Sequence, residues 1–329
     1  MRTRLIASAL LLPALLAACG TDADADADAD AETAAASSET REVTHLAGTT
    51  EIPVDPHRIV TTTDQNALLP LLELGVRPVG SAGRLNDDGS GTFRRTQGFD
   101  TSGITFTGDF IEPNAEAVVA ESPDLIVGYD GDQEKYDVFS RIAPTVLVQV
   151  FDRPLDEALL QFGDLVDRRE EAEALQAAYD GRVEALRERL GRLESLSVSV
   201  LEPGDPGTFL RFDVGQAVGT VSDDVGLLRV AEQEADSGSD AQSVETLPGR
   251  SADVVLVVDF GGDRAEPDPA VQALLDNPLY QSLPAVQAGQ AHVFDGTRTV
   301  GAAWARMDAF LDVLEEHLLD ARDDVVVEQ

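Results

Sequence analysis

The residues equipped for chemistry in this chain are arginines spaced among aromatic rings. Arg84, Tyr129, Phe151 with Arg153, Arg211, and Trp304 with Arg306 each fall at or just beyond the end of a segment with strand character or near such an end. Asp64, Gln65, Phe110, Asp130, Phe209 and Phe260 hold similar positions. A guanidinium grips an oxyanion through paired, parallel hydrogen bonds, and rings cover the apolar parts of a ligand. Together they suit the binding of a bulky, oxygen-rich anion. In open α/β sheets ligands collect beyond the carboxyl ends of the strands, which is where these side chains would converge. Each arginine has an ordinary alternative as a surface ion-pair partner, and each ring as core filling. Trp304, the sole tryptophan, has the alternative of packing the last helix. Arg94 and Arg95 lie in a loop rich in Gly, Asp and Ser and are expected to stay solvated.

Catalysis and metal coordination find no comparable set. The four histidines (His45, His57, His292, His317) are scattered, and Cys19 is the only cysteine, so the ligand clusters that hold zinc or manganese are not seen. No nucleophile elbow, phosphate-binding loop or dinucleotide fingerprint stands in a strand–turn–helix context. No catalytic residue, resident metal or cofactor is expected, and the chain reads as a binder rather than an enzyme. The 24 basic and 61 acidic residues give a formal charge of −37. A nucleic-acid partner needs a basic face and is excluded. The acid excess resembles that of proteins kept soluble in high salt.

The elements that must position these residues alternate. Residues 58–63, 76–80, 104–107, 124–129 and 144–150 read as strands, with helical patterns at 66–74, 114–121 and 134–142 between them. Pro70 predicts a short or kinked first helix. Helices follow at 155–165 and 169–194, the second carrying an apolar stripe of Leu175, Tyr179, Val183, Leu186 and Leu190 weakened by Gly181. A second alternation has strands at 196–201, 208–213, 253–259 and 291–295 and helices near 243–248, 271–275 and 304–319. This pattern predicts two α/β lobes with mostly parallel sheets joined by one long helix. The lobes also echo one another. Asn114, Glu116 and Asp124 recur as Ser243, Glu245 and Asp253: a helix cap, a Glu two residues on, and an Asp eight further that opens an apolar strand.

The beginning of the chain predicts a compartment. Arg2 and Arg4 precede an apolar run broken by Pro13, too short for a bilayer span of about 20 residues and shaped like a secretory leader. Residues 16–19 end in Cys19 and resemble a bacterial lipobox, in which that cysteine is acylated. Asp and Ala then alternate from Asp22 to Ala31, a self-repelling stretch that cannot bury a core. The expected organisation is a signal peptide over 1–18, the lipidated cysteine and an acidic linker over 19–42, a first lobe over 43–165, an interlobe helix over 166–194 and a second lobe over 195–329.

In series, residues 48–60, 71–80, 112–127, 141–146 and 277–295 resemble segments of the iron–siderophore substrate-binding lipoproteins of bacterial ABC importers, over about residues 43–319. The resemblance implies a ligand cleft between the lobes, a ferric siderophore as ligand, small closure about a rigid helix, and a permease partner. It further implies that one Glu per lobe docks on permease arginines, positions matched by Glu116 and Glu245. The protein is then expected as a monomer at the outer face of the cytoplasmic membrane, held only by its lipid anchor. Cobalamin or haem on the same scaffold, and a surface or sensory lipoprotein without transport, stay open as alternatives.

Overall fold

Thr40, Val43 and Thr44 favour an extended backbone, and Gly48 adopts a left-handed one (φ 126°), so the chain folds back on itself. The result is a hairpin of β1 (Thr40–His45) and β2 (Gly48–Pro53). The computed structural model describes residues 39–151, 153–191, 196–211, 216–229, 241–250, 252–262 and 267–325, which belong to one compact unit. Cys19, the leader and the Asp-Ala repeat lie outside the described residues. The linker expected to reach residue 42 stops earlier, because β1 already pairs Thr40 with Pro53.

Short apolar runs bounded by turns then build the first sheet. Its strands are β3 (Ile59–Thr61), β4 (Gly80–Leu85), β5 (Gly91–Thr92), β6 (Thr105–Asp109), β7 (Leu125–Tyr129) and β8 (Thr145–Val148). Their order is β5-β4-β3-β7-β8 with β6 also beside β4, and only the β4–β5 pairing is antiparallel. With them come α1 (Leu69–Glu73), α2 (Ala115–Ala120), α3 (Tyr136–Phe139) and α4 (Leu155–Leu165). Pro70 sits in the first turn of α1, where its missing N–H is not needed. The strand expected at 76–80 is instead a turn: Gly75 is left-handed, Val76 N–H donates to Leu71 O, and β4 begins only at Gly80.

The chain crosses to the second sheet through α5 (Arg169–Leu190), 22 residues burying Ala172, Tyr179, Val183, Leu186 and Leu190. It ends before the expected residue 194 because Gly191 leaves the helix at φ 66°. The second sheet contains β9 (Ser197–Pro203), β10 (Thr208–Arg211), β11 (Leu228–Arg229), β12 (Gln242–Ser243), β13 (Val254–Asp259) and β14 (Ala291–Asp295), ordered β12-β10-β9-β13-β14 with β11 on β9. Here β10 is antiparallel to both neighbours. The accompanying helices are α6 (Gln216–Val225), α7 (Pro269–Leu275), α8 (Pro278–Gln281), α9 (Pro284–Gln287) and α10 (Trp304–Val325). α6 has no counterpart in the sequence reading: its Gly, Thr, Val and Ser are weak helix formers, and burial of Ala217, Val218 and Val221 overrides them.

One apolar core runs through both lobes, joining Leu71, Leu125 and Val146 to Val200, Leu256 and Met307. Backbone contacts reinforce it. Ala302 N–H donates to Gln65 O at 2.9 Å, and Gly301 (φ 115°) permits this approach, since a Cβ there would stand 2.8 Å from Leu69 Cδ1. The internal echo has a structural counterpart. Asp124 accepts the N–H groups of His57 and Arg58 ahead of β3, and Asp253 accepts that of Ser197 at the start of β9. Both carboxylates splice the entries of two adjacent parallel strands.

Candidate ligand-binding site

Beyond β3 the backbone widens into a π-type turn (Asp64–Leu68), with Leu68 N–H donating to Thr63 O at 3.1 Å. Such turns recur at functional sites because they re-aim side chains. This one buries the Asp64 carboxylate completely. A charge so placed requires a partner, and Arg94 supplies it: the backbone N–H and Nη2 each donate at 2.6 Å, and Nε at 3.1 Å. The Arg94 guanidinium then lies over the Phe110 ring, 3.3 Å from its centroid. Phe110 is fixed at the end of β6 by its N–H to Gly83 O.

Arg95 turns the opposite way. Its left-handed backbone (φ 52°) is uncommon for a residue with a Cβ. It sends the guanidinium to the second lobe, 3.8 Å over Phe260 just past β13, while Nη1 donates to Gln65 Oε1 at 3.2 Å. Burial lowers its pKa to about 10, an effect opposed by the charge of Glu202 near the end of β9. Burial raises the Glu202 carboxyl in turn, with Arg95 pulling it back. These adjacent arginines, expected to be solvated, therefore form a centre on which the two lobes meet. Their signal in the sequence is the flanking of two arginines by Phe93 and Phe99 in a loop otherwise built of small and acidic residues.

The remaining candidates divide. Tyr129 and Phe151 do come together, ring centroids 5.9 Å apart and tilted by 59°. Phe151 is 44% exposed, its N–H held by the Asp130 carboxylate at 2.8 Å. Burial, reinforced by Asp132 and Asp130, pushes the Tyr129 hydroxyl up to about 12. Arg84 is exposed at the end of β4, opposite Thr92. Arg153 leans on α4, Nη2 donating to Gln161 Oε1 at 2.8 Å and Glu157 O at 3.2 Å. Gln65 and Phe260 join the Arg95 contact described above.

Three expectations are corrected. Trp304 is 1% exposed within the continuous core, its Nε1–H reaching Gln176, so its ring does not face a ligand. Arg306 is 3% exposed and donates to the carbonyls of Arg95 (2.8 Å) and Gln97 (2.9 Å), securing the loop that bears the two stacked arginines. Phe209 is fully buried, and Arg211 lies opposite Leu201 rather than past the end of β9. The cause is the antiparallel course of β10, which directs its carboxyl end away from the site. The Arg211 side chain lies outside the described residues. Among those described, no group of three or more His, Cys, Asp or Glu is arranged to hold a metal ion, and no helix is long and apolar enough to cross a membrane.

Glu116 and Glu245 are both exposed and occupy matching places. Glu116 opens α2 after Asn114, whose Oδ1 accepts the Glu116 N–H at 3.0 Å; Glu245 opens the turn after Ser243, whose Oγ accepts its N–H at 3.3 Å.

Comparison with known proteins gives concordant matches. A family model described as periplasmic binding protein matches residues 91–296. The chain is 29% identical over 306 residues to the "Probable siderophore-binding lipoprotein YfiY" of Bacillus subtilis, covering 87% of this chain and 90% of that one. It is 26% identical over 270 residues to the iron(3+)-hydroxamate-binding protein FhuD of Escherichia coli, covering 80% and 87%. Among solved structures, Staphylococcus aureus SirA complexed with staphyloferrin B matches with a TM-score of 0.71 at 25% identity, covering 85% of this chain and 98% of that one.

Proposed function

This chain belongs to the periplasmic binding protein family, with the class III architecture of two α/β lobes joined by one long helix, and from that premise we propose that it captures a ferric siderophore between its lobes and delivers it to an ABC importer for iron uptake. The observation that carries this reading is the pair of stacked guanidiniums, Arg94 on Phe110 and Arg95 on Phe260. They offer hydrogen-bond donors and flat apolar surface together, which is what a metal chelate presents in return: oxygen atoms around the iron and an organic backbone around those. The names of the relatives support the same ligand class.

In this reading Arg84 and Arg95 meet the chelate oxygens, Tyr129 and Phe151 cover its organic part, and Arg153 completes the rim. Asp64 and Arg306 hold the arginine loop in position. Glu116 and Glu245 dock on basic residues of the permease. Acylation of Cys19 tethers the protein, as a monomer, to the outer face of the cytoplasmic membrane.

The test is calorimetric titration of the full-length protein in mild detergent with ferric hydroxamates, ferric catecholates, ferric citrate, haem and cobalamin. At least one ferric chelate should bind, and Arg84→Glu combined with Phe151→Ala should weaken it by about tenfold or more, a loss equivalent to 1.4 kcal/mol. Binding of haem or cobalamin with no response to any iron chelate would sink the reading.

A further inference from the structure

The last strand in the order of the first sheet, β8, pairs with β7 on one side only. An open edge offers unpaired N–H and C=O groups to any extended segment that reaches it. Here the hairpin of β1 and β2 covers it. Leu46 N–H donates to Leu147 O at 3.2 Å, and the return bond goes to a side chain: Leu147 N–H donates to His45 Nδ1 at 3.3 Å. The imidazole stands where a partner strand would present a carbonyl.

The contacts of this ring fix its protonation state. Nδ1 also accepts the Ala47 N–H at 3.3 Å, so two donors converge on its single lone pair. The ring proton must then sit on Nε2, which donates to Thr50 Oγ1 at 2.8 Å, and that hydroxyl lies 3.1 Å from the Tyr136 hydroxyl. The His45 residue is 8% exposed, and its ring lies tilted against Tyr136 with centroids 5.6 Å apart. A second proton, on Nδ1, would turn the shared acceptor into a donor facing two donors. We infer that His45 is an acid-sensitive latch: neutral, it fastens the hairpin to the edge of β8; protonated, it releases the hairpin tip and opens that edge.

The titratable groups around the ring are engaged elsewhere or turned away. Alternation along the hairpin places Arg41, Val43 and His45 with Thr50 and Ile52 on the inner face, and Glu42 and Glu51 on the outer one. Arg41 shares the face of His45, but its guanidinium reaches Asp164 O. β8 carries no titratable residue. On α3, Tyr136 touches the ring and Asp137 is exposed. In the turn before α3, Asp132 is committed to Thr62 and Lys135, Asp130 holds the Phe151 N–H, and Glu134 is exposed. Burial accordingly lowers the His45 pKa from its ordinary 6.5. The released ring takes a proton more readily than the latched one. The latch is therefore at full strength above about pH 6.5 and weakens as pH falls from there through the lowered value.

The experiment is hydrogen–deuterium exchange on the full-length protein in mild detergent at pH 7.5 and pH 5.0, corrected for the intrinsic pH dependence of exchange. The amides of Leu46, Ala47 and Leu147 should lose about threefold or more of their protection in acid, while those of β3 and β7 keep theirs. His45→Asn places an uncharged acceptor near the position of Nδ1 and should abolish this response. His45→Lys, charged at both pH values, should leave the three amides exchanging fast throughout. Thermal melting checks the fold of each variant. Should neither fold, the wild-type imidazole resonance of His45 decides: its titration midpoint should lie below 6.5, and a midpoint at or above 6.5 overturns the latch. Equal protection at the two pH values in the wild type, or an acid loss that persists in folded His45→Asn, overturns it as well.

Discussion

Arg306 is buried with its guanidinium against the carbonyls of Arg95 and Gln97, and Phe99 lies 5.0 Å from it. Burial lowers its pKa to about 10, against the opposing charge of Glu73. Truncation in Arg306→Ala removes both donations and the packing of a buried side chain, so urea unfolding should show a loss of about 2–4 kcal/mol. Chelate affinity should fall too, although Arg306 touches no ligand; Arg306→Lys, with one point of donation, should recover only part of either. Glu73 is the partner of this arrangement. Its carboxylate accepts the N–H groups of Trp304 (2.8 Å) and Ala305 (2.7 Å) at the start of α10, yet burial raises its pKa from 4.5 to about 7. The folded state thus holds a proton that the unfolded chain releases. Stability is fully present below about pH 4.5 and declines as pH rises through 7, by about 3 kcal/mol for this group. Glu73→Gln should flatten that decline between pH 5 and pH 8 in urea titrations; an identical slope would count against the assignment.

At the scale of elements, helices with a strong apolar stripe were legible and those shaped by their surroundings were not. α4 and α5 start where their patterns start, because i, i+3 and i+4 spacing marks a buried face whatever it packs on. α6 escaped notice because its small and β-branched residues serve a crowded interface, where Leu155 N–H meets Thr220 Oγ1 at 3.0 Å. Two glycines separate these influences. Gly181 lies mid-helix in α5 with open space where a Cβ would stand, so Gly181→Ala should stabilise by about 0.5–1 kcal/mol. Gly301, left-handed and pressed on Leu69 and Gln65, should respond to the same change with a loss of about 1–3 kcal/mol. Thermal melts of the two variants should shift in opposite directions.

For the whole molecule, the continuous core and the bonds from Gln65, Asn66 and Glu73 to the second lobe oppose wide opening. A permease would then have to recognise a nearly rigid body by a fixed pair of surface points. Glu116 and Glu245 suit that task, since equivalent caps aim both from equivalent places. Reversal of both to Arg should abolish uptake in cells while chelate affinity measured on the purified protein stays within about twofold. Retained uptake in the double variant would remove the docking role.

The alternation of strand and helix, the long joining helix and the matched places of Asp124 and Asp253 ahead of apolar strands could be inferred from the sequence because each depends on periodicity or on a set spacing; that the two carboxylates join neighbouring strands could not. Arg84 and Tyr129 do stand near the ends of β4 and β7, since an apolar run shows where its strand stops. Only the tertiary structure decided which arginines stack on rings near the meeting of the lobes. Trp304 and Arg306 went inward because the two lobes share one core, whereas β10 runs backward because the short turn at residues 204–207 returns the chain onto β9 as a hairpin. Arg94 and Arg95 became central because Asp64 is buried beneath them. Burial arises from long-range packing, and no local pattern records it.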